Sequence, residues 1–183
     1  VCKHLHLPLQ SGSNRALREM NRRYTAEQYL ELVDYARERI PGLSLTSDII
    51  VGFPGETREE FEETLGMIER VGYTSLFTFL YSRRSGTRAA QMEDPVPQEE
   101  KSRWLRELLA VQEPIGMGVH QAQVGKTLPI LADGLGKTGE GMLCGRTDTN
   151  IIVEFPGSPQ LIGQFVMVRI TQARNWALLG ERI

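Results

Sequence analysis

The sequence is poor in residues that build metal centres. Its 183 residues include only two cysteines, Cys2 and Cys144, and three histidines. The cysteines lie far apart, and neither belongs to a CxxC or a Cys–His spacing, which argues against a disulfide framework and a local metal site. Such sparse cysteine is typical of a protein from a reducing cytosol.

Long hydrophobic runs and an excess of positive charge are also missing. No apolar run approaches the length that spans a bilayer, and none resembles a secretory signal. The formal net charge is −2, so no overall positive field attracts nucleic acid. The sequence has no Ser–His–Asp order, no P-loop and no paired-carboxylate signature. We therefore expect no catalytic residue within this chain.

The first part of the sequence alternates strand patterns with helix patterns. Strand patterns cover His4–Leu9, Leu43–Phe53 and Tyr73–Ser82, and capping boxes that begin at Thr25 and Thr57 mark two helix starts. Three strand–helix repeats predict a parallel β/α architecture. Because three strands form only part of a sheet or barrel, and the chain opens without methionine inside a strand pattern, we expect further sequence upstream.

The composition changes near Pro114. The stretch 113–127 contains one proline and three glycines, and no helical pattern follows this stretch. Five short strand patterns come after it and predict a small all-β barrel. We place the boundary within residues 115–123, with one domain at 1–118 and the other at 119–183. The predicted strands are Thr127–Ala132, Met142–Arg146, Ile151–Phe155, Phe165–Ala173 and Trp176–Leu179.

Polar residues and glycines follow each predicted strand of the first part, where parallel β/α folds bind ligands. Gln10, Ser11 and Ser13 offer neutral hydrogen-bonding groups that suit ribose hydroxyls or a base edge. Glycines let backbone N–H groups approach a ligand, and arginines can face a carboxylate or phosphate. The glycines are Gly12, Gly52 and Gly55, and the arginines are Arg83, Arg84 and Arg88.

Each of these features also has a purely structural interpretation. Ser13 can cap a helix, and Gly52–Gly55 can be a tight turn at a strand–helix junction. Asp48 lies within an apolar strand, where it needs a partner if buried or can cap a helix. His4 and His6 share one face of their strand, where histidines satisfy core hydrogen bonds more often than they bind metal. The arginines can simply solvate a loop.

Several phrases of the sequence together resemble the radical S-adenosylmethionine methylthiotransferases. They run in the order of that family over nearly the whole chain, and as a set they are highly specific. The closest resemblance is to the branch that converts isopentenyladenosine beside the tRNA anticodon to its 2-methylthio derivative. The phrases are "CKHLHLPLQSGSNRALREMNRRYT", "LTSDIIVGFPGETREEFEETL", "FTFLYSRRSGTRAAQM", "VPQEEKSRWLRELLAVQE" and "GRTDTNIIVEFPGSPQLIGQFVMVRIT".

The resemblance implies the fold and the cofactors. The chain would be the carboxyl-terminal part of such an enzyme: the last strands of a parallel radical SAM β/α barrel, then a five-stranded TRAM barrel that binds RNA. The family uses S-adenosylmethionine and two 4Fe–4S clusters, whose cysteine motifs are absent here. We expect a cytoplasmic, monomeric transferase that acts on tRNA, with no cluster role for Cys2 or Cys144. The chain alone is expected to be inactive and free of iron.

The resemblance also implies site residues. Asp48 and Glu56 depart from the radical-enzyme pattern GxIxGxxE, because Asp48 replaces the first glycine and the acid comes one place late. The segment "PIGMG" is a poor continuation of the helix that leads into TRAM. Arg84 is implied to contact the substrate. The residues implied around S-adenosylmethionine are Gln10, Ser11, Ser13, Gly52 and Phe53.

RNA binding by the second domain would need a local patch. Residues 123–183 contain six Lys or Arg and five Asp or Glu, a net charge of +1, which is a weak attraction for phosphates. We expect Arg146, Arg169 and Arg174, with Asn150 and Trp176, to supply the contacts. A purely structural barrel is the alternative.

Two other functions stay open at the sequence level. A sister methylthiotransferase would act on threonylcarbamoyladenosine in tRNA or on an aspartate of a ribosomal protein. A free-standing RNA-binding module would have no catalysis, and its upstream reading frame would lack the CxxxCxxC cluster motif.

Overall fold

The computed structural model describes residues 2–183 and contains two compact units. The first comprises Leu5–Pro41 and Leu45–Ile115, and the second is formed mainly by Gly116–Ile183. Within the described residues, no helix is both long enough and apolar enough to cross a membrane.

A three-stranded sheet forms the centre of the first unit. Its strands are β1 (His4–His6), β2 (Ser44–Val51) and β3 (Ser75–Leu80), in the order β1-β2-β3. Strands β2 and β3 are parallel, with Cα partners from Thr46↔Ser75 to Val51↔Leu80. The predicted parallel arrangement is therefore confirmed, and the loops after the three strands lie along one edge of the sheet.

Helices follow the strands as the sequence predicts. They are α1 (Asn14–Glu19), α2 (Ala26–Arg39) and α3 (Arg58–Val71). Both predicted capping boxes are present, with Thr25 and Thr57 as the N-cap residues. These caps satisfy backbone N–H groups that have no partner inside the helix.

The fourth helix, α4 (Gln98–Gln121), corrects one prediction. It continues through Pro114 and the "PIGMG" segment, which the sequence indicated to be a poor continuation of this helix. Two anchors hold the helix on either side of the proline. Gln112 Nε2 donates to the carbonyl of Tyr73 at 2.8 Å, and His120 Nδ1 lies 2.7 Å from the carbonyl of Arg174. Tertiary contacts thus offset the local cost of proline and glycine.

The second unit contains a closed five-stranded barrel, as predicted. The strand order is β4-β5-β6-β8-β7, and only β6 and β8 pair in parallel. Alternate side chains point inward to a core that includes Ile130, Val153, Phe155 and Val168, each fully buried. The strands are β4 (Thr127–Leu135), β5 (Met142–Arg146), β6 (Ile152–Pro156), β7 (Phe165–Ala173) and β8 (Leu178–Arg182).

Candidate functional site

The candidate site lies where the strands of the first unit end. We call Gln10–Ser13 the first edge turn and Gly52–Glu56 the second edge turn, since they follow β1 and β2. Gln10 is 6% exposed and forms a parallel bridge with Ile49. Its φ of 72° is left-handed, a conformation that costs a non-glycine residue on the order of 1 kcal/mol. Such strain at a strand end marks this position as a functional candidate.

Gly12 has a packing role that differs from the predicted one. Its N–H group donates to Thr64 Oγ1 at 2.9 Å, so that group is not available to a ligand. A Cβ atom at this position would lie 2.6 Å from the carbonyl oxygen of Glu63 and from the Cα of Thr64. Glycine is needed here because the first edge turn lies directly against α3.

Both serines of the first edge turn are buried and bonded within the unit. Ser13 is the N-cap of α1, where its Oγ accepts from the N–H of Ala16 at 3.3 Å. The same hydroxyl donates to Glu60 Oε1 at 3.1 Å. Ser11 Oγ accepts from the N–H of Ser13 at 3.1 Å and lies 3.5 Å from Thr64 Oγ1. The helix-cap interpretation of Ser13 is confirmed.

The second edge turn is organised by the carboxylate of Glu56. Its Oε2 accepts from the N–H of Gly52 at 2.6 Å and from the N–H of Phe53 at 3.2 Å. The Gly52 N–H that was predicted to approach a ligand is thus bonded to the chain's own carboxylate. Glu56 is 2% exposed, and burial raises its pKa to about 7 against the opposing effect of the two N–H donors.

The side chain of Lys101, on α4, packs against the second edge turn at Gly52. A Cβ atom on Gly52 would be 2.5 Å from Lys101 Cδ, and the φ of Gly52 is 73°. Two reasons therefore require glycine at position 52. The Lys101 side chain is 3% exposed, and its Nζ pairs with Asp94 Oδ2 at 2.5 Å. Nothing in the sequence indicated this contact, because 49 positions separate Lys101 from Gly52.

Arg15 joins the two edge turns. Its Nε and Nη2 donate to the two carboxylate oxygens of Glu60 at 2.5 and 2.6 Å. Nη2 also donates to the carbonyl of Gly55 at 2.7 Å. The contact with Arg15 lowers the pKa of Glu60, and in return raises the pKa of Arg15. Sequence reasoning missed Arg15, although it lies two residues after the first edge turn.

Tyr81 directly follows β3 and contributes an unpaired polar atom. Its hydroxyl is buried and has no hydrogen-bond partner among residues 2–183. The ring packs edge-on against Phe53, with the ring centroids 5.4 Å apart, and its N–H donates to the carbonyl of Val51 at 2.9 Å. An unpaired buried hydroxyl is costly, so Tyr81 is a further candidate for a ligand contact.

The arginines after β3 differ in their surroundings. Arg83 and Arg84 are exposed, and the Arg84 carbonyl accepts from Thr87 Oγ1 at 2.8 Å. Arg88 pairs with Glu19, with Nη2 and Oε2 at 3.1 Å. Arg83 and Arg84 therefore face solvent, whereas Arg88 is tied to α1.

The histidine and aspartate of the sheet bind each other. His6 Nδ1 lies 3.0 Å from Thr46 Oγ1, and its Nε2 lies 3.4 Å from Asp48 Oδ2. The interpretation of His6 as a hydrogen-bonded sheet residue is confirmed, and Asp48 has the partner that its position demands. Among residues 2–183, no three His, Cys, Asp or Glu side chains are grouped so as to hold a metal ion.

The arginines predicted for RNA contact are spread over the barrel. Arg146 pairs with Asp133 at 3.2 Å and with Asn150 Oδ1 at 3.0 Å. Arg169 Nη2 lies 3.8 Å from Glu181. Both cations are thus partly neutralised within the unit, which weakens their attraction for phosphates.

Arg174 and Trp176 lie together in the turn between β7 and β8. Trp176 is 79% exposed, and the Arg174 N–H donates to the carbonyl of Ala177 at 2.9 Å. Because a carbonyl only accepts, His120 must donate its Nδ1–H to the Arg174 carbonyl. The turn therefore presents an exposed indole and a guanidinium on a fixed backbone.

Comparisons with known proteins agree with both units. Residues 1–68 match the Radical SAM superfamily and residues 121–183 match the TRAM domain. The coproporphyrinogen III oxidase of Escherichia coli, a radical SAM enzyme, superposes with a TM-score of 0.52 at 20% identity, over 80% of this chain and 41% of its own. That likeness concerns the fold alone.

Curated relatives match the chain over nearly its whole length. The tRNA-2-methylthio-N(6)-dimethylallyladenosine synthase of Syntrophotalea carbinolica is 45% identical over 100% of this chain and 42% of its own length. The synthase of the same name from Carboxydothermus hydrogenoformans is 49% identical over 98% of this chain and 41% of its own. That of Symbiobacterium thermophilum is 50% identical over 100% of this chain and 39% of its own. The chain thus spans about two fifths of these relatives.

Proposed function

We propose that the chain belongs to the radical SAM methylthiotransferase family and that the whole protein adds a methylthio group to isopentenyladenosine in tRNA. The observation that carries the proposal is 45–50% identity to synthases of this name over essentially the full chain. We further propose that the protein is a monomer of the cytoplasm, where its tRNA substrate is found. Within this chain, we propose that the boundary between the two domains lies between residues 118 and 119.

S-adenosylmethionine fits the edge of the sheet in the first unit. Gln10 in its left-handed conformation, the phenyl ring of Phe53 and the unpaired hydroxyl of Tyr81 follow the three strands. We assign these three residues to the wall around the cofactor, which supplies the radical chemistry when it is bound. Three further residues support that wall without contacting the cofactor through their polar groups, which are bonded within the unit. They are Ser11, Ser13 and Gly52.

The iron–sulfur clusters do not fit the residues of this chain. Cys2 and Cys144 are free cysteines, and the part of the chain that the structure describes holds no grouped metal ligands. We propose that both 4Fe–4S clusters are bound by other parts of the whole protein. This chain would then position the cofactor and the tRNA, with Arg84 as a contact at the substrate side.

The barrel is proposed to bind tRNA through the turn between β7 and β8. An exposed indole offers a stacking surface worth about 1–3 kcal/mol per base, and Arg174 beside it can contact a phosphate. Arg146 and Arg169 are assigned weaker contacts because Asp133 and Glu181 compete for them.

Mass spectrometry of tRNA nucleosides tests the proposed function. A strain lacking the gene should contain isopentenyladenosine without its 2-methylthio derivative, and the full-length gene should restore the derivative. Unchanged methylthio-isopentenyladenosine in the deletion strain would rule the proposal out. The same digest reports threonylcarbamoyladenosine derivatives, and their selective loss would instead assign the protein to the sister activity.

A further inference from the structure

We propose that Arg15 is a positioning residue for S-adenosylmethionine, because it fixes the two edge turns relative to each other. The inference rests on the proposed function, since it takes the edge turns as part of the cofactor wall. Arg15 itself is not assigned a contact with the cofactor. Its role is to hold Gly55 and Glu60 in place. Through these two residues it positions the edge turns that contain Gln10 and Phe53.

The contacts of Arg15 connect segments that are distant in sequence. The residue belongs to α1, directly behind the first edge turn, and its guanidinium reaches the Gly55 carbonyl at 2.7 Å within the second edge turn. The same group holds both carboxylate oxygens of Glu60 in a bidentate pair. Bidentate guanidinium–carboxylate pairs fix direction as well as distance. Lysine has one compact charge and lacks the planar fork of the guanidinium, so it cannot reproduce the bidentate geometry.

Glu60 extends the connection to Ser13 in the first edge turn and to Thr57, which directly follows the second. Its carboxylate also accepts from the Ser13 hydroxyl at 3.1 Å and from the Thr57 N–H at 2.9 Å. The Glu60 side chain is 13% exposed, so little water is available to replace a lost donor. Removing Arg15 would leave the Gly55 carbonyl and one buried carboxylate short of partners, and the second edge turn would lose its tie to the first.

A second arginine provides a matched control. Arg58 makes a bidentate pair with Glu107 at 2.6 and 2.7 Å, and its side chain is 41% exposed against 37% for Arg15. That pair joins α3 to α4 and contacts neither edge turn. A general loss of stability should therefore appear in both Arg15 and Arg58 variants, whereas a loss of positioning should appear only in the Arg15 variants.

The test compares R15Q, R15K and R58Q in the full-length protein with its clusters reconstituted. The dissociation constant of S-adenosylmethionine is measured by equilibrium dialysis, together with kcat, KM and the thermal midpoint. We expect R15Q to weaken cofactor binding by about tenfold or more and R15K to be intermediate. R58Q should bind like the wild type. At saturating cofactor, kcat of R15Q should approach the wild-type value.

Equal dissociation constants for R15Q and R58Q, with equal losses of thermal midpoint, would overturn the inference and leave Arg15 a stabilising residue only. If R15Q does not accumulate, R15K is compared with R58K instead. Equal dissociation constants and equal losses of thermal midpoint in this pair would again overturn the inference. A wild-type protein that binds S-adenosylmethionine but leaves isopentenyladenosine unmodified would instead refute the proposed function, and the binding data on Arg15 would still stand.

Discussion

Replacing Glu56 with glutamine should change how the stability of the first unit depends on pH. Glu56 has an ordinary pKa of 4.5 when exposed, and burial raises it to about 7 in the folded protein. Between these values the folded state keeps a proton that the unfolded state has released. Stability from this group is therefore complete below pH 4.5 and is lost as the pH rises to 7. The difference corresponds to roughly 3 kcal/mol, at about 1.4 kcal/mol per pH unit.

Glutamine is neutral at every pH and keeps an oxygen for the two N–H donors of Gly52 and Phe53. We therefore expect E56Q to match the wild type near pH 4.5 and to exceed its free energy of unfolding by about 3 kcal/mol at pH 8. Urea unfolding can be followed by fluorescence of Trp104, which is 3% exposed and stacked on Phe61 at 5.2 Å. A W176F background removes the second indole.

The control for this experiment is E69Q, at an exposed position of α3. Its free energy of unfolding should differ from that of the wild type by no more than about 0.5 kcal/mol across the whole range. The reasoning on Glu56 fails if the difference between E56Q and wild type is constant from pH 4.5 to 8. A constant difference would mean that the carboxyl group does not change its protonation in this window.

Three further predictions concern single residues of the two units. G12A should lower the free energy of unfolding by about 2 kcal/mol or more because its Cβ meets backbone atoms; G66A, which has open space in α3, should instead be neutral or stabilising in the same urea experiment. W176A should weaken tRNA binding by about 1–3 kcal/mol in filter binding without lowering the thermal midpoint, and an unchanged affinity would exclude Trp176 as a stacking surface. Y81F should leave stability unchanged or raised, since the hydroxyl has no partner among the described residues, while cofactor affinity falls; an unchanged affinity would remove Tyr81 from the cofactor wall.

Local features of the fold could be predicted from the sequence because their causes lie within a few residues. The capping boxes at Thr25 and Thr57 each depend on two side chains three positions apart. The barrel strands follow from alternation and turn residues, and four of the five begin within one residue of the predicted start. The exception is β8, which begins at Leu178 rather than Trp176.

The parts that could not be predicted depend on contacts between distant segments. The N–H group of Gly12 binds Thr64, and the side chain of Lys101 packs against Gly52. Neither contact leaves a pattern among neighbouring residues. From the sequence alone, these glycines therefore could not be distinguished from glycines that face a ligand. The helix through Pro114 escaped prediction for the same reason, since its anchors lie at Tyr73 and Arg174.

Gly12 and Gly52 impose different evolutionary constraints on the two edge turns. A side chain at position 12 would collide with the backbone of α3, which no substitution elsewhere can remove. A side chain at position 52 would collide with the stem of Lys101; a shorter residue at 101 would relieve that collision but not the strain of the left-handed φ of 73°. Position 12 is therefore expected to remain glycine. Substitutions at positions 52 and 101, in contrast, are expected to depend on each other. A lineage that loses the glycine at 52 should therefore carry both a shorter residue at 101 and, at 52, a residue that tolerates a left-handed φ, such as asparagine.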